Sequence, residues 1–148
     1  SVAYDEKRSE NAGRVLTKKL CAGIRDSLEP FASGQVGRYD DEFEVRAFGD
    51  NITLWGTPVV LIETGPWPAA EPDTALLRLN FVAIVAALDL AGVESVVDLS
   101  GGYGGLLAGL LQAKQNLRGI LFDRPHRIER RRLADEHADP HAGQAVRL

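Results

Sequence analysis

At 148 residues and 16.1 kDa the chain has room for one ordinary domain, or for two small pieces that share a core, and excludes two independent full-sized enzymes. With 45% apolar and 26% charged residues it lies near the globular average, which excludes a chain too polar to bury a core. Its 17 Lys and Arg against 21 Asp and Glu leave a net charge of −4, the wrong sign for a general nucleic-acid binder.

In residues 10–28, Val15, Leu16, Leu20, Ile24 and Leu28 recur at three- and four-residue spacing between charged neighbours, predicting an amphipathic helix that ends near Pro30. The following run, FASGQVGRYDDEFEVRAFGDN, has no sustained period and is expected to be a long irregular connection. Val59, Val60, Leu61 and Ile62 form a short apolar run without alternation, as in a strand buried on both faces. Asp73 as N-cap and Leu76, Leu77, Phe81, Ile84, Val85 and Leu88 on one broad face predict a second helix, which Gly92 closes. A strand at 95–98, the turn SGGYGG, a helix over 106–115 and a strand over 119–122 ending at Asp123 then complete a strand, helix, strand unit. A polar helix over 127–137, a turn and the start of a further strand at 146–148 are expected to follow. The fold class is therefore α/β, a mostly parallel sheet with flanking helices and a Rossmann-like unit in the C-terminal half.

Charge divides unevenly. Residues 1–93 carry 9 basic and 14 acidic groups, net −5, and residues 94–148 carry 8 and 7, net +1. Cys21 is the only cysteine, which excludes an intrachain disulfide and four-thiolate zinc and fits a reducing cytoplasm. The longest apolar stretch, 81–90, is broken by Asp89 and falls short of the roughly 20 residues that cross a bilayer, so no membrane partner is expected. The chain starts SVAYDEKRSE, without an initiator Met or an apolar secretion segment, and reads as a fragment.

The strongest chemical signal is Asp98-Leu99-Ser100-Gly101-Gly102-Tyr103-Gly104-Gly105, where a strand turns into a helix. Glycines there permit tight backbone angles and let a ligand approach main-chain N–H groups; the same glycines also serve a purely structural turn. Asp123, at the end of the next strand, stands where a carboxylate accepts hydrogen bonds from ribose hydroxyls. An acid just before the glycines repels phosphate, which disfavours a pyrophosphate and favours a cationic ligand such as S-adenosylmethionine. His137 and His141 share helix spacing, but Pro140 between them breaks the helix, so no metal ligand is assigned. Trp55, Trp67, Tyr39 and Phe48 gather around the long connection, as pocket walls or as cover for a core edge.

The segment VVDLSGGYGGLLAGLLQAKQNLRGILFDRPH resembles the cofactor-binding unit of S-adenosylmethionine-dependent O-methyltransferases, over residues 92–148. The resemblance implies that Asp98, Gly101, Gly102 and Gly104 line the methionine end of the cofactor and that Asp123 holds its ribose. Ser100 stands where that family usually has glycine, and a left-handed backbone there costs about 1–2 kcal/mol, about tenfold in affinity. The family's adenine-contacting segment and catalytic histidine fall beyond Leu148, so the piece is incomplete for catalysis.

The runs RYDDEFEVRAFGDNITLWGTPVVLIETGPWP and DTALLRLNFVAIVAALDLAG resemble the C-terminal part of bacterial zinc metallocarboxypeptidases, over residues 1–90. That resemblance implies Glu63 as general base toward a zinc-bound water, with the zinc ligands upstream of Ser1. Together the two resemblances describe a chimeric or truncated chain, with pieces 1–91 and 92–148 that are able to pack as one domain. A third reading is a non-catalytic interaction domain that forms homo-oligomers through unpaired strand edges.

Overall fold

The computed structural model describes residues 2–38, 40–65 and 73–123. The chain divides into two compact units, Ser1–Ala91 and Gly92–Leu148. The expected helix at 127–137, the turn after it, all three histidines, Tyr39 and Trp67 lie outside the described residues.

The first unit contains α1 (Ala12–Leu28), α2 (Phe48–Leu54) and α3 (Thr74–Ala91). Asn11 starts α1 by accepting the Arg14 amide at 2.8 Å, the bond an N-cap side chain makes to an otherwise unpaired first-turn donor. Its inward stripe is rotated from the expected one: Arg14, Thr17, Ile24 and Leu28 are buried, whereas Val15 and Leu16 are each 43% exposed. The core is Ile24 and Leu28 against Ala83 of α3, flanked by Val60, Leu79, Val82 and Ala87. Leu79, Ala83 and Ala87 recur every four residues and so share one face. Gly23 lets α3 come close, since a Cβ there would strike the Leu90 side chain.

Asp73 caps α3 by accepting the Ala75 amide at 2.7 Å, and Gly92 leaves the helix with φ +63°. With Arg78 and Asp89 as its only charges and a mean hydropathy of 1.8, α3 is long and apolar enough, by length and composition alone, to cross a membrane. Considering only the stretch 81–90 hides this, because the apolar character extends beyond Asp89 and back past Arg78. α3 lays Ala83 and its neighbours on α1, while Leu77 and Leu90 are exposed.

Two expectations fail in the middle of this unit. The long connection contains α2, which sequence periodicity does not reveal: its N-cap is Ala47 with no side-chain bond, and its apolar Phe48 points to solvent, 77% exposed. Side-chain hydrogen bonds to the residues just before it define it instead. Asp50 is buried and accepts the Glu44 amide at 2.8 Å, while the Asn51 side chain donates to the carbonyls of Val45 and Ala47 at 2.7 and 2.8 Å. The run 59–62 is not a strand. It is chain without regular secondary structure whose Val59 carbonyl accepts the Val2 amide at 3.3 Å; Val60 reaches the core, while Leu61 and Ile62 are exposed. A strand needs a paired neighbour, and the sheet of the described residues contains no such segment.

Residues 40–42 are tied to α1 by charge. The guanidinium of buried Arg14 pairs with Asp41, which also meets Arg8 at 3.5 Å. Burial pushes the Asp41 carboxyl up, but Arg14, Arg8 and Arg38 together outweigh it and hold it below its ordinary value. A carboxylate with a depressed folded-state pKa stabilises the fold fully above its unfolded pKa and loses that contribution as pH falls through the folded value. The urea midpoint of this unit is therefore expected to fall below about pH 4. Asp41→Asn should flatten that acid limb and cost about 3 kcal/mol at neutral pH, because it leaves the buried Arg14 with only the more exposed Glu10, 3.6 Å away, as counter-charge. Identical pH profiles for the two proteins would rule out Asp41 as the group responsible.

The second unit holds β1 (Ser95–Leu99), α4 (Gly105–Ala113) and β2 (Arg118–Phe122), a right-to-expectation strand, helix, strand unit of the α/β class. The strands pair in parallel, Asp98 opposite Leu121 and Leu99 opposite Phe122. Leu107 of α4 is 1% exposed and packs on Gly119, where a Cβ would stand 2.7 Å from Leu107 Cδ1. Leu110, Leu117 and Leu121 complete this core, whereas Val97, Leu99, Ile120 and Phe122 on the alternate positions are exposed.

Candidate functional site

The site residues foreseen in the second unit come together because β1 and β2 are parallel and in register, so both deliver their last residues to the same end of the sheet. The loop from Ser100 to Gly104 is sharply wound. Ser100, Gly102 and Gly104 have φ of +62°, +59° and +74°. Its amides are largely paired within the protein: Ser100 N–H donates to the Phe122 carbonyl at 2.7 Å, and Gly104 N–H to that of Gly101 at 2.9 Å. Gly102 N–H donates to Asp123 Oδ2 at 2.7 Å.

This differs from a loop of open amides awaiting a ligand. Asp123 holds the loop to the end of β2, and an ionised carboxylate, with roughly four acceptor positions, is not exhausted by one such bond. Asp98 lies on the α4 side of β1 with its carboxylate under Gly101. A Cβ at 101 would collide with that carboxylate and stand 2.6 Å from Leu121 Cδ1, so a larger residue there has to displace the Asp98 and Leu121 side chains. Asp98 Oδ2 is buried and has no hydrogen-bond partner among the described residues. An acceptor withdrawn from water without a donor is costly, and such atoms in native proteins call for a missing donor. Asp98 and Asp123 thus converge on the consecutive residues Gly101 and Gly102.

Ser100 is the strained member of the loop. Its left-handed backbone is a conformation that glycine adopts without penalty. Ser100→Gly is expected to stabilise the second unit by about 1 kcal/mol, the relief of strain less the entropy glycine adds to the unfolded chain. Urea unfolding followed by amide exchange in β1 and β2 measures this; a destabilised variant would show that the Ser100 side chain supports the loop.

Elsewhere, Glu63 is exposed near the end of the 59–62 segment, close to Thr64, whose hydroxyl lies 3.3 Å from Asn80 Oδ1. Among the described residues no group of three His, Cys, Asp or Glu side chains is placed to hold a metal ion. Trp55 and Phe48, the two foreseen aromatics that are described, are 72% and 77% exposed. What sequence reasoning missed is Arg14, a fully charged side chain only 3% exposed, whose burial shows in neither periodicity nor spacing.

No family model matches the chain, and no solved structure matches it. Curated relatives do. Over 44 residues, 30% of this chain, it is 46% identical to phenazine O-methyltransferase PhzM of Lysobacter antibioticus, covering 13% of that protein. Over 61 residues, 39% of this chain, it is 41% identical to 2,7-dihydroxy-5-methyl-1-naphthoate 7-O-methyltransferase of Streptomyces carzinostaticus, covering 18% of it. Over 62 residues it is 37% identical to 3-amino-4-hydroxybenzoate 4-O-methyltransferase of Streptomyces cremeus, 40% of this chain and 17% of the relative. The chain spans less than a fifth of the length of each of these relatives. These comparisons lend nothing to the resemblance of residues 1–90 to metallocarboxypeptidases. The chain carries a segment similar to O-methyltransferases.

Proposed function

We propose that the strand, loop, helix, strand unit binds S-adenosylmethionine and is the cofactor-binding part of an enzyme that methylates a hydroxyl of a small aromatic molecule. The observation that carries this reading is the buried, unpartnered Oδ2 of Asp98 directly beneath Gly101. A cationic ligand supplies what that atom lacks; a pyrophosphate does not. The paired state of the Ser100, Gly102 and Gly104 amides argues the same way, since a phosphate site needs such donors free.

The residues fit the cofactor. Asp98, Gly101, Gly102 and Gly104 would hold its methionine end, the carboxylate meeting positive charge and the glycines allowing close approach. Asp123, anchored by Gly102, would accept the ribose hydroxyls. When bound, S-adenosylmethionine supplies an electrophilic methyl group on a positively charged sulfur. The chain's own part is to bind and orient that molecule. The relatives' names, a phenazine, a naphthoate and a benzoate methyltransferase, support an aromatic acceptor.

Calorimetric titration of the whole chain with S-adenosylmethionine, with ATP as the anionic control, tests the proposal. Saturable binding of the first and none of the second is expected. Binding of ATP alone would invert the charge argument and sink it.

A further inference from the structure

The cofactor proposed above carries a charge that the two acids of the loop cannot meet. Its amino-acid end has an ammonium and a carboxylate; Asp98 and Asp123 suit the ammonium and the ribose but repel the carboxylate. A carboxylate brought to this loop therefore needs a hydrogen-bond donor close to both acids. Main-chain amides are the usual supply at such a turn, yet three of them are spent. The Ser100 amide donates to the Phe122 carbonyl, the Gly104 amide to that of Gly101, and the Gly102 amide to Asp123.

Ser100 supplies a further donor. It is exposed, and its hydroxyl makes no hydrogen bond among the described residues. Its amide bond ties it to the residue before Asp123, while Asp98 and Gly102 lie two residues to either side. Oγ is two bonds from Cα, so in every rotamer the hydroxyl stays near the place where the acids converge.

The backbone adds an independent argument. Among the described residues only Arg8 and Ser100 are non-glycine residues at positive φ. Arg8 uses its side chain on Asp41 and Glu42, whereas nothing described in the protein uses that of Ser100. A strained side chain without an internal partner, at a ligand loop, points to a task outside the chain. Because the left-handed conformation is held by the Phe122 bond as part of the fold, its cost falls on stability and not on the affinity, as the sequence alone suggested.

We propose that the Ser100 hydroxyl donates to the carboxylate of the cofactor's amino-acid end, so that the site distinguishes S-adenosylmethionine from its decarboxylated form. The inference rests on the reading of this loop as an S-adenosylmethionine site and adds a contact that a glycine at position 100 cannot make.

Calorimetric titration of the whole chain and of its Ser100→Ala and Ser100→Gly variants, with S-adenosylmethionine and with decarboxylated S-adenosylmethionine, tests it. Alanine keeps the left-handed strain and removes the hydroxyl; glycine removes both. Each substitution is expected to weaken S-adenosylmethionine about tenfold, the loss of one hydrogen bond to a charged group, and to change the decarboxylated ligand less than about twofold. Agreement between the two variants separates the hydroxyl from the strain, since glycine alone relieves the latter. Unchanged affinity for S-adenosylmethionine in Ser100→Ala overturns the assignment and leaves the carboxylate to the first-turn amides of α4. Equal weakening of both ligands overturns it too, because the hydroxyl then reads something other than the carboxylate. An unsubstituted chain that binds neither ligand refutes the cofactor reading itself, and this contact with it.

Discussion

Asp98→Asn is expected to weaken S-adenosylmethionine binding by about 2–3 kcal/mol, roughly 30- to 150-fold in Kd. The substitution keeps the shape of the side chain beneath Gly101, so the loop has no steric reason to move. What it removes is the negative charge, and it replaces one acceptor oxygen by a donor nitrogen that meets positive charge. The free protein should respond in the opposite sense. Asp98 Oδ2 is buried without a partner, so neutralising the carboxyl is expected to stabilise the unliganded second unit by about 1 kcal/mol. Opposed changes in binding and stability distinguish a ligand-facing acid from a structural one, which would lose both together. Calorimetry and amide exchange on the same variant read the two quantities, and undiminished affinity would remove Asp98 from the site.

The second large effect is on stability. Leu107→Ala is expected to cost the second unit about 3 kcal/mol, within the range for emptying a well-packed leucine site. Leu107 is 1% exposed and fills the space that Gly119 leaves open on β2, so it joins α4 to the strand pair that carries Asp98 and Asp123. Four leucines, at 107, 110, 117 and 121, make up the buried apolar core of the described part of this unit, and so small a core has few contacts with which to absorb a cavity. Both tryptophans, Trp55 and Trp67, belong to the first unit, so their fluorescence is the wrong readout. Amide exchange in β1 and β2 is the right one, with accelerated exchange there and unchanged exchange in α1 expected. Loss of protection in α1 as well would show that the two units unfold together.

The α/β character and the second unit were legible because their signals are local. A capping Asp73, a closing Gly92, apolar spacing and a glycine run between two apolar segments each act over a few residues, and helices and strands end within two residues of expectation. Parallel pairing of β1 and β2 followed from the helix between them, and with it the meeting of Asp98 and Asp123 at one end of the sheet. The left-handed backbone at Ser100 was foreseen only through the resemblance, since the methyltransferases usually have glycine at that position.

Other features left no such local signal. The run 59–62 has the composition of a buried strand, but a strand exists only where another chain segment offers hydrogen bonds. α2 lacks a capping side chain and an apolar stripe; its bonds from Asp50 and Asn51 reach back only four to six residues, but they follow no periodic pattern that a sequence reading detects.

The amino-acid sequence by itself therefore determined the second unit's order of elements, the position of its loop and the two acids at its rim. Only the tertiary structure decided which donor Asp123 keeps, that Asp98 Oδ2 is left without one among the described residues, and that Arg14 rather than Val15 or Leu16 faces inward. The reason is distance along the chain: Asp41, which makes the burial of Arg14 tolerable, is 27 residues away, and no short-range pattern records a partner so remote.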